Sequence, residues 1–126
     1  MLVELTINPL GRGTHLSKDN AGRLKAKIVA EGANIPCTTE AEAILEARGV
    51  LILPDFVVNV GGVICAATEF HGGIDTTAFL YIEEKIRRNT ALLINKARSE
   101  GISMRQAAMG LATERIWNAQ RTRRWK

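Results

Sequence analysis

The sequence contains few of the residues from which disulfide scaffolds and metal sites are built. It has two cysteines, Cys37 and Cys65, and two histidines among 126 residues. The cysteines are too few for a disulfide framework and have no metal-ligand spacing, so they are predicted to be free thiols in a reducing compartment. His71 has no carboxylate or cysteine at ligand spacing. We therefore predict no metal site and no catalytic pair in this chain.

Long apolar runs are also missing. No stretch approaches the roughly 20 apolar residues that a membrane-spanning helix needs. The N-terminus has no basic region followed by an apolar segment, so the chain is expected to be cytoplasmic. Hydrophobic residues make up 46% and charged residues 24%, which is ordinary for a globular domain. The length suits one domain and is short for an enzyme with separate cofactor and substrate domains.

The net charge of +4 comes from the C-terminal end of the chain. From Glu114 onward, five basic residues accompany one acidic residue. A basic tail can bind nucleic-acid phosphates, but a short basic run is more often a solvated helix end that complements the helix dipole. Nucleic-acid binding is therefore the least favoured of the functions considered.

Three short apolar segments predict β-strands at residues 2–7, 27–30 and 50–53, with turns and helices between them. The pattern is β-α-β-α-β, and the second and third segments lack clean alternation, as parallel strands covered on both faces do. The first helix is expected to be short and to begin near Ser17 or Asp19. The second is predicted to begin at Thr39, capped by its hydroxyl with Glu42 closing a capping box, and to end at Gly49.

From residue 57 onward the pattern predicts helices alone. One helix is expected over residues 60–70, a longer one capped by Asp75 and ended by Gly101, and a last one from Ser103. The long helix carries an apolar stripe that needs a partner surface: Phe79, Ile82, Ile86, Leu93 and Ala97. The last helix has a small apolar face, with Trp117 as a candidate anchor: Met104, Ala108, Leu111 and Ala112.

Residues 11–16, Gly-Arg-Gly-Thr-His-Leu, come close to a dinucleotide-binding fingerprint. They follow a predicted strand, and Glu31 ends the next strand. Leu16, however, stands where a glycine or alanine would let helix and strand pack closely. The favoured interpretation is a strand-to-helix turn that uses two glycines for backbone freedom. His15 is then a surface or capping residue.

Residues 30–63 contain the most specific pattern. Glu-Gly-Ala-Asn ends one predicted strand, and Pro-Asp-Phe with Asn-Val-Gly-Gly-Val follows the next. Ligands of open parallel sheets bind beyond the carboxyl ends of the strands, where Asn34 and Asn59 fall. An asparagine offers both a donor and an acceptor, as a carboxamide or ribose requires. On pattern alone, the favoured interpretation is that these glycines are turn residues and both asparagines are helix caps.

The run from Ala30 to Val63 resembles the glutamate, leucine, phenylalanine and valine dehydrogenase family, and the resemblance extends over about residues 20–126. It implies an α/β fold: the second half of a Rossmann-like cofactor domain, with about three parallel strands, followed by C-terminal helices. The whole chain, residues 1–126, would be a partial NAD(P)-binding domain, with residues 1–56 as the half-sheet and 57–126 as the helical segment.

The resemblance also assigns site residues. Gly32, Ala33, Asn34 and Asn59 would contact NAD or NADP, and Asn59, Val63 and Ala66 would contact an amino-acid substrate. The pattern is most similar to glutamate dehydrogenase, but glutamate-specific members of the family typically have serine in place of Ala66, so glutamate specificity is in doubt and an apolar substrate is an open alternative. The catalytic lysine and aspartate belong to an N-terminal domain in this family, and no catalytic residue is assigned here.

Two functions other than nucleic-acid binding remain open from the sequence. The first is a segment of an amino-acid dehydrogenase that catalyses NAD(P)-dependent oxidative deamination, inactive alone and weak in cofactor binding. The second is a stand-alone oligomeric nucleotide-binding or interaction protein with the same ancestry. Either way, the unpaired sheet edge predicts a homo-oligomer or a missing N-terminal half as partner.

Overall fold

The computed structural model describes residues 16–122. The described elements are a 3₁₀ turn at Ala21–Arg23, strands β1 and β2, and helices α1 to α5. Their bounds are β1 Ile28–Ala30, α1 Thr39–Ala47, β2 Leu51–Leu53, α2 Asp55–Val58, α3 Gly61–Phe70, α4 Asp75–Glu100 and α5 Met104–Thr122. The predicted strand at 2–7 and the glycine turn with His15 lie outside the described residues.

Strands β1 and β2 pair in parallel, as their apolar pattern predicted. The register places Val29 opposite Ile52, and both side chains are buried. Helix α1 crosses between the strands and contributes Ala41 and Leu45 to the same core cluster. An isolated parallel bridge joins Leu16 to Cys37 beside this sheet. The carboxyl ends of both strands therefore open on one edge of the α/β layer.

The short first helix is a single 3₁₀ turn. The amides of Asn20 and Ala21 donate to the Ser17 carbonyl oxygen, but the 3₁₀ turn itself begins at Ala21, later than the predicted start near Ser17 or Asp19. The guanidinium of Arg48 donates to the carbonyl oxygens of Ala21, at 2.7 Å, and Leu24, at 2.6 Å. The residue after α1 thus binds the first residue of this turn and the residue that follows it; the Ala21 oxygen also accepts the Leu24 amide.

The predicted cap of α1 is wrong by one residue. The hydroxyl that accepts the Ala41 amide, at 3.1 Å, belongs to Thr38 and not to Thr39. Glu42 does not reach back to close a capping box, because its carboxylate accepts hydrogen bonds from Arg105. The end of α1 is confirmed: Gly49 has φ 74°, the left-handed conformation that glycine adopts without a Cβ penalty.

The helical segment begins and ends close to the predicted residues. Gly101 has φ 64° after α4, and Ser103 and Gln106 form a reciprocal capping box at α5, with both bonds at 3.1 Å. Asp75 is the first residue of α4 and makes no capping hydrogen bond, so its predicted capping role is wrong. The termini of these helices are local features, which explains why residue patterns identify most of them.

A second apolar cluster joins α4 and α5 to the sheet. Leu93 and Ala97 of α4 pack with Met104, Ala107 and Ala108 of α5, which confirms the small apolar face of the last helix. Trp117 is 63% exposed, so within residues 16–122 it does not anchor α5. Part of the predicted stripe is therefore covered inside the chain, whereas Phe79 at its other end is 70% exposed.

Candidate functional site

Two asparagines meet where the strands end. Asn34 lies four residues after β1, and Asn59 follows α2, the short helix that begins two residues after β2. The Asn59 side-chain amide donates to the Asn34 side-chain oxygen at 2.7 Å, at an exposed position. An asparagine carries two N–H donors and two acceptor lone pairs. After this bond, the pair retains donors on Asn34 and acceptor capacity on Asn59 for a polar ligand.

Asp55 holds the turn that carries Asn34. The carboxylate of Asp55 accepts from the Ile35 amide at 2.9 Å through Oδ2 and from the Phe56 amide at 2.9 Å through Oδ1. Ile35 has φ 50°, a left-handed conformation that is costly for a β-branched residue. A buried aspartate at the end of β2 thus stabilises an unfavourable backbone conformation directly after the first asparagine.

A buried glutamate connects Asp55 to the last helix. Glu31, at the end of β1, is fully buried, and its Oε2 accepts from the Asp55 amide at 2.9 Å. The same oxygen accepts from Arg105 of α5 at 2.8 Å. Arg105 also binds Glu42 at 2.6 Å, approaches Asp55 Oδ1 at 3.6 Å and lies over the Phe56 ring. One guanidinium therefore joins three carboxylates from three segments.

The electrostatics of this cluster follow from burial. Burial raises the pKa of Glu31, against opposing hydrogen bonds from Cys37 and the Asp55 amide and the charge of Arg105. Burial alone would lower the pKa of Arg105, but its hydrogen bond to Glu42 and the nearby carboxylates raise it. Burial and the Glu31 carboxyl raise the pKa of Cys37 far above its ordinary value. Cys37 is therefore a protonated, unreactive thiol at neutral pH.

Two of the three residues expected to contact the substrate, Val63 and Ala66, lie on α3. Val63 is 73% exposed, and Ala66 is exposed one turn further along the same face. Among the described contacts, no side chain caps the N-terminus of α3, and a Cβ on Gly62 would meet open space. Val63 and Ala66 thus lie on an exposed face of α3, and the first amides of this helix are available to a ligand carboxylate.

A large open cavity lies on a different face of α3. It has a volume of about 770 Å³ between α3 and α4, and its lining includes Ile64, Ala67, His71, Tyr81 and Lys85. Neither Val63 nor Ala66 contributes to it. The structure thus brings Asn34 and Asn59 together, but it places the expected substrate residues outside this cavity.

Three residues of the site were missed by reasoning from the sequence. Glu31 was considered only as the acidic residue of a dinucleotide fingerprint beginning at residue 11. In the structure its carboxylate is buried and accepts from the Asp55 amide and Arg105. Asp55 and Arg105 were noted as parts of motifs, without a role. These roles were missed because the contacting residues are far apart in sequence: 74 residues separate Arg105 from Glu31. An acidic residue directly after an apolar strand was the available signal.

The described residues contain neither a cluster suited to a metal ion nor a membrane-spanning helix. Among residues 16–122, no group of histidine, cysteine, aspartate and glutamate side chains is arranged to hold a metal ion. None of the described helices is long and apolar enough to cross a membrane.

Comparison with known proteins identifies the family. The model of the Glutamate/Leucine/Phenylalanine/Valine dehydrogenase family matches residues 3–124. The chain belongs to this family. This confirms the resemblance carried by residues 30–63, and amino-acid dehydrogenase ancestry is the correct interpretation of the sequence.

Curated relatives agree with this family. The glutamate dehydrogenase of Aeropyrum pernix is 42% identical over 120 residues, which cover 87% of this chain and 29% of that protein. The NADP(+)-dependent glutamate dehydrogenase of Pyrobaculum calidifontis is 38% identical over 118 residues, covering 86% and 27%. The chain thus spans less than a third of the length of these relatives.

Solved structures of the family share the fold. L-tryptophan dehydrogenase from Nostoc punctiforme superposes with a TM-score of 0.78 at 30% identity, over 88% of this chain and 33% of that one. The hetero-hexameric glutamate dehydrogenase of Thermus thermophilus gives a TM-score of 0.74 at 27% identity, over 89% and 28%. These likenesses confirm the predicted α/β class, a partial Rossmann-like domain followed by helices.

Proposed function

We propose that this chain forms the nicotinamide side of an NAD(P) site and one wall of the amino-acid pocket in an enzyme that oxidatively deaminates an L-amino acid. In this proposal, residues 1–126 are part of an NAD(P)-binding domain, with 1–56 as the half-sheet and 57–126 as the helical segment. Gly32, Ala33, Asn34 and Asn59 face the cofactor. The substrate contacts Asn59 together with Val63 and Ala66.

The observation that carries the proposal is the hydrogen bond between Asn59 and Asn34. It joins the segments that follow two parallel strands, at the edge where open α/β sheets bind ligands. The remaining donors and acceptors of two carboxamides suit a ligand carboxamide or ribose. The residues present therefore fit a nicotinamide nucleotide, which when bound supplies the hydride acceptor of the reaction.

The residues of this chain would bind and orient the reactants. Asn34 and Asn59 fix the nicotinamide ring, while the uncapped N-terminus of α3 offers amides to the substrate carboxylate. Ala66 has no hydroxyl for a distal carboxylate, and a missing hydrogen bond to a charged group weakens binding by roughly 1.5–3 kcal/mol. An apolar substrate side chain therefore suits this pocket better than glutamate.

Proton transfer requires groups from outside this segment. In the family, the lysine and aspartate that perform it come from another domain. The 126-residue polypeptide is therefore expected to reduce neither NAD⁺ nor NADP⁺ in the presence of L-amino acids, and its cofactor dissociation constant should exceed about a micromolar. Turnover above a heat-inactivated sample would contradict this expectation.

A titration followed by NMR tests the cofactor site. Nicotinamide mononucleotide, added to ¹⁵N-labelled chain, should shift the side-chain amides of Asn34 and Asn59, whereas adenosine monophosphate should not. Asn34→Ala should remove the response. Asn95→Ala is the matched control, because Asn95 is an exposed asparagine on α4. Equal responses to both nucleotides, or shifts centred elsewhere, would refute the assignment.

The alternative, a stand-alone oligomeric nucleotide-binding or interaction protein, is favoured by the exposed apolar residues near the α3–α4 connection. Phe70 is 86% exposed, Ile74 66% and Phe79 70%. That protein would bind a partner through these residues and need no amino acid. Binding of an L-amino acid in the presence of nicotinamide nucleotide, detected by shifts at Val63 and Ala66, separates the two functions.

A further inference from the structure

The backbone conformation of Ile35 shows that the turn carrying Asn34 is strained. Its φ of 50° is rarely adopted by a β-branched residue, and its side chain is 71% exposed. Packing of that side chain therefore does not compensate for the backbone conformation. The Ile35 amide instead donates to Asp55 Oδ2 at 2.9 Å, a contact that spans 20 residues. The left-handed conformation at Ile35 therefore depends on the position of the Asp55 carboxylate.

Asp55 is held in turn by groups from two other segments. Its amide donates to Glu31, and its Oδ1 lies 3.6 Å from Arg105 Nη1. Three carboxylates this close repel each other unless a cation lies between them. Arg105 provides that cation and contacts all three, with its side chain 34% exposed. Loss of the guanidinium would leave this carboxylate cluster without a central donor.

We propose that Arg105, on α5, is a positioning residue for the cofactor site. It holds the carboxylates of Glu31 and Asp55 in place. Asp55 then keeps Ile35 in its left-handed conformation, which leaves Asn34 within hydrogen-bond distance of Asn59. The inference rests on the function proposed above, because it gives Arg105 a role through the asparagine pair. The described contacts of Arg105 are with Glu31, Glu42, Asp55 and the Phe56 ring, so its proposed effect on the asparagine pair is indirect. Helix α5 thereby controls the geometry of a turn more than 70 residues earlier in the chain.

The direct test is hydrogen exchange at the Ile35 amide in the 126-residue chain. Arg105→Met should speed exchange at Ile35 by at least about tenfold, since hydrogen bonds to charged groups are the strong ones. The amides of Val29 and Ile52 in the sheet should change less. Arg115→Met is the matched control: Arg115 lies on the same helix and donates to the Asn89 side-chain oxygen at 2.9 Å. It should leave exchange at Ile35 unchanged.

Two further variants keep the test informative if Arg105→Met does not fold. Arg105→Lys keeps the charge but not the planar fork, so exchange at Ile35 should be intermediate. Asp55→Asn has one carbonyl oxygen in place of two carboxylate oxygens, so it cannot accept from both Ile35 and Phe56 as Asp55 does. It should speed exchange at one of these two amides. A uniform loss of protection across the sheet in all three variants would overturn the proposal and indicate a general structural role.

Cofactor titration separates this inference from the proposed function. If wild type responds to nicotinamide mononucleotide, Arg105→Met should weaken the affinity by about tenfold, and Arg115→Met should not. If wild type responds and both variants bind equally, Arg105 does not position the site and the proposed function stands. If wild type shows no response, the proposed function fails, while faster exchange confined to Ile35 would still support the contact chain from Arg105.

Discussion

At the scale of single residues, Glu31 is the side chain whose environment departs most from an ordinary surface carboxylate. It is fully buried, and its Oε1 has no hydrogen-bond partner of good geometry among the described residues. The charged and titratable groups around it are Cys37, Glu42, Asp55 and Arg105. A buried carboxyl binds its proton more tightly in the folded state than in the unfolded state.

Glu31 therefore gives the chain a distinct pH dependence. Because folding raises its pKa above the ordinary 4.5, its contribution to stability is complete below that value and is lost as the pH rises through the folded pKa. Glu31→Gln should remove this decline from the unfolding free energy, measured by urea denaturation between pH 4 and 8. Profiles of wild type and variant that run parallel would contradict the assignment.

Glu46→Gln is a companion variant, which separates the contribution of Glu46 to the pH dependence from that of Glu31. Burial and the charge of Glu42 also raise the pKa of Glu46, so Glu46 contributes a decline of the same sign. Each single variant should remove a part of the slope, and the double variant both parts. The effects should add to the extent that the two carboxyls do not interact.

At the scale of elements, α1 and α3 end in the same way. The amide of Gly73 donates to the Thr68 carbonyl and that of Gly72 to the Glu69 carbonyl, at 2.8 and 2.9 Å. Gly72 has φ 77°. These are the two bonds of a Schellman motif, and α1 makes the corresponding pair through Gly49 and Val50. The glycines therefore set where each helix stops and where the chain turns next.

Gly73 and Gly62 should respond oppositely to alanine. A Cβ on Gly73 would collide with the Thr68 side chain and lie 3.0 Å from the Thr68 carbonyl oxygen, and such overpacking costs about 1–3 kcal/mol. A Cβ on Gly62 meets nothing within 4 Å, and alanine in a helix gains roughly 0.5–1 kcal/mol over glycine. Denaturation midpoints measure both. A Gly73→Ala variant as stable as wild type would show that the connection after α3 adjusts freely.

At the scale of the whole molecule, the described chain leaves apolar surface uncovered at one end of the α3–α4 pair. Large apolar side chains more than 60% exposed lie close together in sequence there: Phe70, Ile74, Phe79 and Leu80. The apolar stripe of α4 that was expected to bind a partner is only partly exposed, because Leu93 is buried within the chain and Ile86 is half-buried. Because large exposed apolar patches are typical of interaction sites, we expect these residues to contact a partner.

A soluble preparation of the chain is therefore expected to be a dimer or larger. Phe79→Asp should dissociate it, because burying a large apolar side chain contributes roughly 1.5–3 kcal/mol and a buried charge opposes association. Ala91→Asp adds the same charge at an exposed position of α4 and should leave the assembly intact. Light scattering at low micromolar concentration measures the mass. A monomeric wild type with a cooperative melt would show that this surface needs no partner.

The sequence by itself determined the family, the α/β class and most helix ends. These depend on contiguous motifs and on signals within about five residues, such as Gly49, Gly101 and the Ser103–Gln106 box, which do not require knowledge of the fold. The cap of α1 was displaced by one residue because either of two adjacent threonines fits the pattern. The choice between them is made by backbone geometry.

Tertiary structure alone decided how the site is held. The contacts of Arg105 with Glu31, Glu42 and Asp55 span 50 to 74 residues, and no local periodicity reports a pairing of that range. The same holds for Trp117, whose exposure depends on what packs against α5, and for the face of α3 that borders the cavity between α3 and α4. Side-chain burial and ion pairing are properties of the packed chain, because both depend on which distant segments meet.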